Sequence, residues 1–462
     1  MRGARSAVAC LTIVALSAVP GVAPAARSQA VRGQAAPDTL DLRRAIRTAL
    51  LRNPGIASAE ASAATAAADR WAHWGALLPS ASANASIGSS SSTTLTFLEP
   101  DGSRTVLEDP VITDTRSNSM GLSLNLSLGA ETFTTIDAGG ERRAAADYGV
   151  SSAQALVVRE VKVAYFEALK RQRLVDVARR QVAGRRDEYD LTRDKYDIAA
   201  ASRSDLLGAE ISLRNAELQL MEDEDALDAA VRAVRVAQGV DDLAVEDLTL
   251  VDPESVPSAE SLDVQTLLEA ARMANPQLRR LAAEERAAST DVWGARSSYL
   301  PRLNASLSFG RGRQLAADES YFEFSPANKS SSFSLSLSLP LFDGFQRRQR
   351  NASASNALAT ARANLREQEL NVERQIRDRV ADIHRGERRL GVLERNAELA
   401  AERLDLTREQ YRIGTVEYLN LQRAIEDLDT AEQQAFEQRY ELLKRWAELE
   451  ELAGGLPSEN AR

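Results

Sequence analysis

The sequence predicts a mostly helical chain with four β-strands, built from one unit used twice. Three observations predict it. Proline is absent from Val111 to Asp252 and again from Leu341 to Leu456, and stretches that long without a breaker are rich in helix. Four short segments alternate apolar and small polar residues with strict period two. Landmark residues also recur in one order at an offset of roughly 220 residues. Leu40-Asp41 returns as Leu262-Asp263, Asn53-Pro54 as Asn275-Pro276, Trp71 as Trp293, Leu78-Pro79 as Leu300-Pro301, and Tyr196 and Ile198 as Tyr411 and Ile413.

Residues 1–30 read as a secretory signal. Arg2 and Arg5 form its charged end, and Ala7–Val19 its apolar core. The only cysteine, Cys10, falls inside it, so the mature chain is expected to have neither disulfide nor thiol chemistry. The net charge of −10 becomes about −12 without the two arginines, which argues against a nucleic-acid partner. No other apolar run reaches 18 residues, so any membrane crossing must be made by strands.

The first repeat spans 31–238. It opens with a short helix (about 40–52) and a longer one (about 54–77). Strands are expected at about 80–89 and 118–129, then a helical hairpin over 141–238. Residues 239–261, acidic and carrying Pro253 and Pro257, form a linker or a small packed segment. The second repeat, 262–453, has the same plan: helices at about 262–274 and 276–299, strands at about 302–310 and 331–342, and a hairpin over 346–453. A tail, 454–462, follows. In the second hairpin Val372, Ile376, Arg379, Ile383, Gly386, Leu390, Leu393, Ala397, Ala400, Leu404, Thr407 and Tyr411 keep a four–three spacing. That is a heptad seam, and its small residues suit close packing on several helices.

The strands carry the sharpest signal. Leu122, Leu124, Leu126 and Leu128 alternate with Ser123, Asn125 and Ser127; Phe333, Leu335, Leu337, Leu339 and Leu341 alternate with serines. A soluble sheet would usually carry Lys, Glu or Thr on its second face. An almost pure Ser and Asn face suits a wet lumen with lipid outside. Four strands cannot close a barrel, and open edges in lipid cost several kcal/mol per unpaired group. Other copies must complete the wall. Three copies give twelve strands above a helical tube, although four would also close.

These pieces together resemble the TolC-like outer-membrane efflux proteins. The telling segments are Pro340-Leu341-Phe342-Asp343-Gly344-Phe345-Gln346-Arg347-Arg348, where the family usually has Pro-Leu-Phe-Asp-Gly-Gly, and the looser Ile136-Asp137-Ala138-Gly139-Gly140. The hairpin tips add Tyr196-Asp197-Ile198-Ala199 with Asp205-Leu206, and Tyr411-Arg412-Ile413-Gly414 with Asn420-Leu421. The family pattern there is Tyr-x-x-Gly followed by Asp-Leu or Asp-Val. The resemblance implies a homotrimer: a twelve-stranded barrel in the outer membrane of a Gram-negative-type bacterium, continued by a periplasmic α-helical barrel. It implies a passive exit duct for efflux or type I secretion. The partners would be a periplasmic adaptor and an inner-membrane transporter of the RND, ABC or MFS type. No catalysis and no cofactor are implied.

Asp205, Tyr411, Asn420 and Arg423 are then expected to line or latch the periplasmic entrance. Ile198, Ala199, Ile413, Gly414 and Thr415 are expected to meet the adaptor. Asn420 and Arg423 stand where relatives place acidic residues, so Asp205 is the remaining acid, and Glu426 is open to Arg423 as a partner. Ala199 replaces the favoured Gly, so its turn must avoid positive φ or accept strain. His73 and His384 lie in separate halves and form no metal constellation. Nor can any catalytic set be assembled. The rival reading is a structural periplasmic coiled-coil or adhesin-like protein with a small soluble sheet.

Overall fold

A computed structural model describes residues 38–98, 100, 102, 104–241, 248–252, 256–315 and 328–454. The expected signal, 1–30, and all but the first residue of the tail lie outside these. Thr39–Arg462 forms one unit, and Asp38 is the only described residue of the other, Met1–Asp38.

The elements run β1 (Asp38–Leu40), α1 (Leu42–Arg52), α2 (Pro54–Gly75), β2 (Ser80–Leu98), β3 (Arg104–Leu128), α3 (Ala130–Asp197) and α4 (Arg203–Gln238). The second half runs β4 (Leu248–Leu250), a 3₁₀ turn (Ala259–Ser261), α5 (Val264–Ala274), α6 (Pro276–Ser297), β5 (Arg302–Leu315), β6 (Lys329–Ser338), α7 (Gln346–Arg412) and α8 (Tyr418–Ala453). At 1.5 Å per residue, the 68-residue α3 and the 67-residue α7 are each about 100 Å long.

The duplication is physical as well as sequential. At both helix junctions an Asn precedes a Pro at the first helical position, where the missing N–H costs nothing. Asn53 accepts from Gly55 N, and Asn275 from Leu278 N. Each side-chain amide also reaches back to the end of its return helix: Asn53 Nδ2 to Ala237 O at 2.9 Å, and Asn275 Nδ2 to Leu452 O at 3.0 Å. Gly239 and Gly454 cap those return helices in the left-handed region. A Cβ there would lie 2.6 Å from Arg52 O or 2.7 Å from Ala274 C, so only glycine fits.

Within 239–261 the described residues include a strand, β4. β4 and β1 form a two-stranded sheet beside the long helices. Tyr165 on α3 is buried at their junction. Its hydroxyl accepts from Val251 N at 3.0 Å and lies 2.8 Å from the carbonyls of both Leu40 and Val251. Asp252 accepts from Tyr440 at 3.0 Å and from Arg173 at 3.1 Å, tying β4's end to α8 and α3. Nearby, burial alone would raise the Glu167 carboxyl, but hydrogen bonds from Lys170 and Lys444 outweigh it and hold it at about 2.

The main sheet is antiparallel in the order β2-β3-β5-β6. Register puts Leu122 opposite both Ala83 and Phe309, and Leu307 opposite both Leu124 and Phe333, so all four apolar faces coincide. The other face is a hydroxyl ladder: Ser82–Ser123, Ser86–Ser119 and Ser308–Ser332 are each 2.7 Å apart. Phe333 and Leu337 are each 70% exposed in the single chain, and the outer edges of β2 and β6 have no partner strand within it. From Met120 to Leu128, at about 3.4 Å per residue and a tilt near 40°, the apolar band is a little over 20 Å tall, close to the roughly 25 Å of an outer-membrane strand. No helix among the described residues is long and apolar enough to cross a membrane.

Three boundaries differ from the sequence expectation. α3 starts at Ala130, not 141. Gly139 and Gly140, ahead of the expected start, lie inside the helix. Gly139 is buried against His73, where a Cβ would sit 2.6 Å from the ring. β2 runs on to Leu98 and β3 starts at Arg104, well past the expected strand ends near 89 and 118. β6 ends at Ser338, short of 342, just before Pro340, which has no N–H for a ladder.

Candidate functional site

The ends of the two helical hairpins carry the predicted site residues. Both tips close by the same backbone pattern. In the first, Ala199 N donates to Tyr196 O and Ala200 N to Lys195 O, at 2.9 and 2.7 Å. In the second, Gly414 N donates to Tyr411 O and Thr415 N to Gln410 O, at 3.1 and 3.0 Å. These are Schellman closures, which need a left-handed residue at the turn. Gly414 supplies it at φ 80° without cost; Ala199 adopts φ 59° despite its Cβ.

The side chains then diverge. Asp205 sits at the start of α4 in a capping box: its carboxylate accepts from Ser202 N at 3.0 Å, and its N–H donates to Ser202 Oγ at 3.1 Å. Asn420, at the matching place on α8, is exposed, and its backbone N–H bonds Glu417 O. Tyr411 is 4% exposed, whereas its counterpart Tyr196 is 38% exposed. The Tyr411 hydroxyl lies 3.3 Å from Thr192 Oγ1. Lys195 donates to the Tyr411 carbonyl and stands 3.7 Å over its ring. Tyr418 packs against the same ring at 6.2 Å. With Ala209, Leu404, Leu421, Ala424 and Ile425 these residues form a small core joining both hairpins.

Arg423 is exposed and makes no ion pair among the described residues. Glu426, its expected partner, accepts instead from Gln422 at 3.1 Å. Ile198 and Ile413 protrude at the turns, and Thr415 Oγ1 donates to Gln410 O at 3.0 Å.

One cluster escapes sequence reasoning. Arg185 on α3 is buried, 3.1 Å from Asp429 on α8 and 3.5 Å from Glu188. Burial raises the Glu188 carboxyl, against the opposing pull of Arg185, and it raises Asp429 as well. Burial also pushes up the Tyr418 hydroxyl, next to Glu188. The i,i+3 spacing of Arg185 and Glu188 is visible in the sequence, but Asp429 lies on the other hairpin, and nothing local points to it.

No group of His, Cys, Asp or Glu among the described residues could hold a metal ion. The tips bring together a buried ion-paired cluster, a packed pair of tyrosines and two exposed turns.

A duplicated chain with an apolar-faced sheet and hairpins of this length is an outer-membrane channel subunit in its fold. The outer membrane efflux protein family model matches residues 45–240 and 267–455, one segment per repeat. The chain belongs to that family. Alkaline protease secretion protein AprF of Pseudomonas aeruginosa is 25% identical over 314 residues, 66% of this chain and 63% of AprF. The chain thus spans a little under two thirds of that relative. Among solved structures, a membrane protein from Pseudomonas aeruginosa superposes with a TM-score of 0.76 at 20% identity, covering 90% of each chain. The Campylobacter jejuni CmeC outer membrane channel does so with a TM-score of 0.75 at 17% identity, covering 90% of this chain and 85% of that one.

Proposed function

We propose that three copies close their sheets into a twelve-stranded barrel and their helices into a periplasmic tube, forming a passive exit duct. The observation that carries this is the sheet itself. It has one lipid-suited face, one hydroxyl-lined face and two open edges, so it is completed only by its siblings. The duct would receive cargo from an inner-membrane transporter of the RND, ABC or MFS type through a periplasmic adaptor, in efflux or type I secretion. AprF, named for protease secretion, supports the secretion branch.

At the tips, Ile198, Ala199, Ile413, Gly414 and Thr415 would meet the adaptor, because both turns protrude. Asp205, Tyr411, Asn420 and Arg423 would line or latch the entrance. Three unpaired Arg423 side chains near one axis would make it electropositive and repel cations. The test is planar-bilayer recording. The unmodified protein should run as a trimer and conduct, and Arg423→Glu should shift ion selectivity toward cations. A water-soluble monomer without conductance refutes the duct, and an unchanged selectivity refutes the place given to Arg423.

A further inference from the structure

The outward face of the sheet changes character abruptly. Along β5 it reads Leu303, Ala305, Leu307, Phe309, then Arg311 and Arg313; along β6, in reverse, Leu337, Leu335, Phe333, Ser331, then Lys329. Arg311 and Lys329 are direct cross-strand partners, both exposed and on one face. Like charges placed opposite each other weaken a ladder unless something negative lies between them. Neither has an acidic partner among the described residues. Arg116 and Arg313, engaged in contacts of their own, stand farther out on the same face. The only carboxylate there, among residues with described side chains, is Asp114. On β2 the corresponding outward residues are Ser89, Ser91 and Thr93.

The other end of the apolar band is built differently. Two of its cations are paired within the chain, Arg302 with Glu131 at 2.6 Å and Arg347 with Asp343 at 3.0 Å, and farther along α3 Arg142 pairs with Asp291 at 2.5 Å. The Arg311–Lys329 pair thus lacks the carboxylates that Arg302 and Arg347 have at the opposite rim.

We propose that Arg311 and Lys329 grip the phosphate of a lipid headgroup at the outer-leaflet surface. The height fits. The pair lies one outward position, about 7 Å, beyond Phe309, and a headgroup layer begins at the edge of the hydrocarbon and is about 5–7 Å thick. The chemistry fits as well: a guanidinium fork takes two phosphate oxygens, and an ammonium adds a point charge. Phe309, one outward-facing position inward of Arg311, and Phe333, two inward of Lys329, give the acyl chains an aromatic girdle. This rests on the duct reading, which turns the β5–β6 ends outward.

The test uses the full-length protein in detergent, with diphosphoryl lipid A as probe. Native mass spectrometry should show it retained by the unmodified protein and weakened about tenfold or more in Arg311→Ser/Lys329→Ser. A control pair at the opposite rim, Arg348→Ser/Arg350→Ser, should leave retention unchanged. Equal retention by the Arg311/Lys329 variant overturns the proposal, as does an equal loss for a phosphate-free glycolipid. Planar-bilayer conductance separates the two claims. Intact pores with unaltered lipid retention sink this proposal alone; an unmodified protein that makes no pore sinks the duct with it.

Discussion

The two hairpin tips share a backbone and differ in almost everything attached to it. The first turn is held from outside its core: Ser202 and Asp205 cap α4, Tyr196 faces outward, and Ala199 is strained. The second is held from within: Tyr411 and Tyr418 are buried, Gly414 is relaxed, and Glu417 and Asn420 provide no side-chain cap. Duplication copied the closure and left the anchoring to drift. The second tip is therefore the more firmly packed, and the first the one with strain in its turn.

The largest effect should come from Tyr411→Ala. Removing a buried aromatic costs about 3–5 kcal/mol in cores, so hydrogen exchange over residues 404–425 should accelerate strongly, while Tyr196→Ala leaves its own tip nearly unchanged. Equal responses would erase the contrast. Acidity should act next. The raised Glu188 and Asp429 carboxyls burden the folded tips when charged, and that burden lifts as pH falls through their folded values toward the ordinary carboxylate range. Glu167, held at about 2, does the reverse: its contribution is complete above about 4.5 and fades as pH falls toward 2. Mild acid should thus firm the tips before it loosens the region around β1 and β4. Exchange rates measured between pH 7 and 3 check both signs, and Glu188→Gln should flatten the first trend.

Ala199→Gly should stabilise the first tip by about 1 kcal/mol, and Gly414→Ala should weaken the second by a similar amount. Local exchange at both turns reads the pair together. The smallest change is Asn420→Asp, which gives α8 an acid in its first turn, as Asp205 gives α4. About 0.3–1 kcal/mol is expected, fading with added salt.

Much of this was legible in the sequence. Val372, Ile376, Ile383, Gly386, Leu390, Leu393, Leu404 and Tyr411 of the heptad seam are buried, and the misfit Arg379 is half-buried in an ion pair with Glu448. Repetition exposed the junctions, because Asn-Pro is rare enough to notice twice. The strand ends were not legible. Beyond the apolar band, residues 90–98 and 104–117 mix polar residues with scattered apolar ones such as Leu95, Val106 and Ile112 without strict alternation, so they read as loop. β1 and β4 were missed because three-residue strands carry no period. The strained positions were half visible. Ala199 and Phe345 are the only non-glycine residues at positive φ among those described, at 59° and 67°. Each stands where the TolC-like pattern favours glycine.

The sheet's raw margins set terms for biogenesis. On the duct reading proposed above, a lone copy has no lipid-ready form of its own, so burying strands and finding siblings would be one event. Its rate should climb steeply with subunit supply, and any copy that outlasts its companions becomes a candidate for escort or destruction.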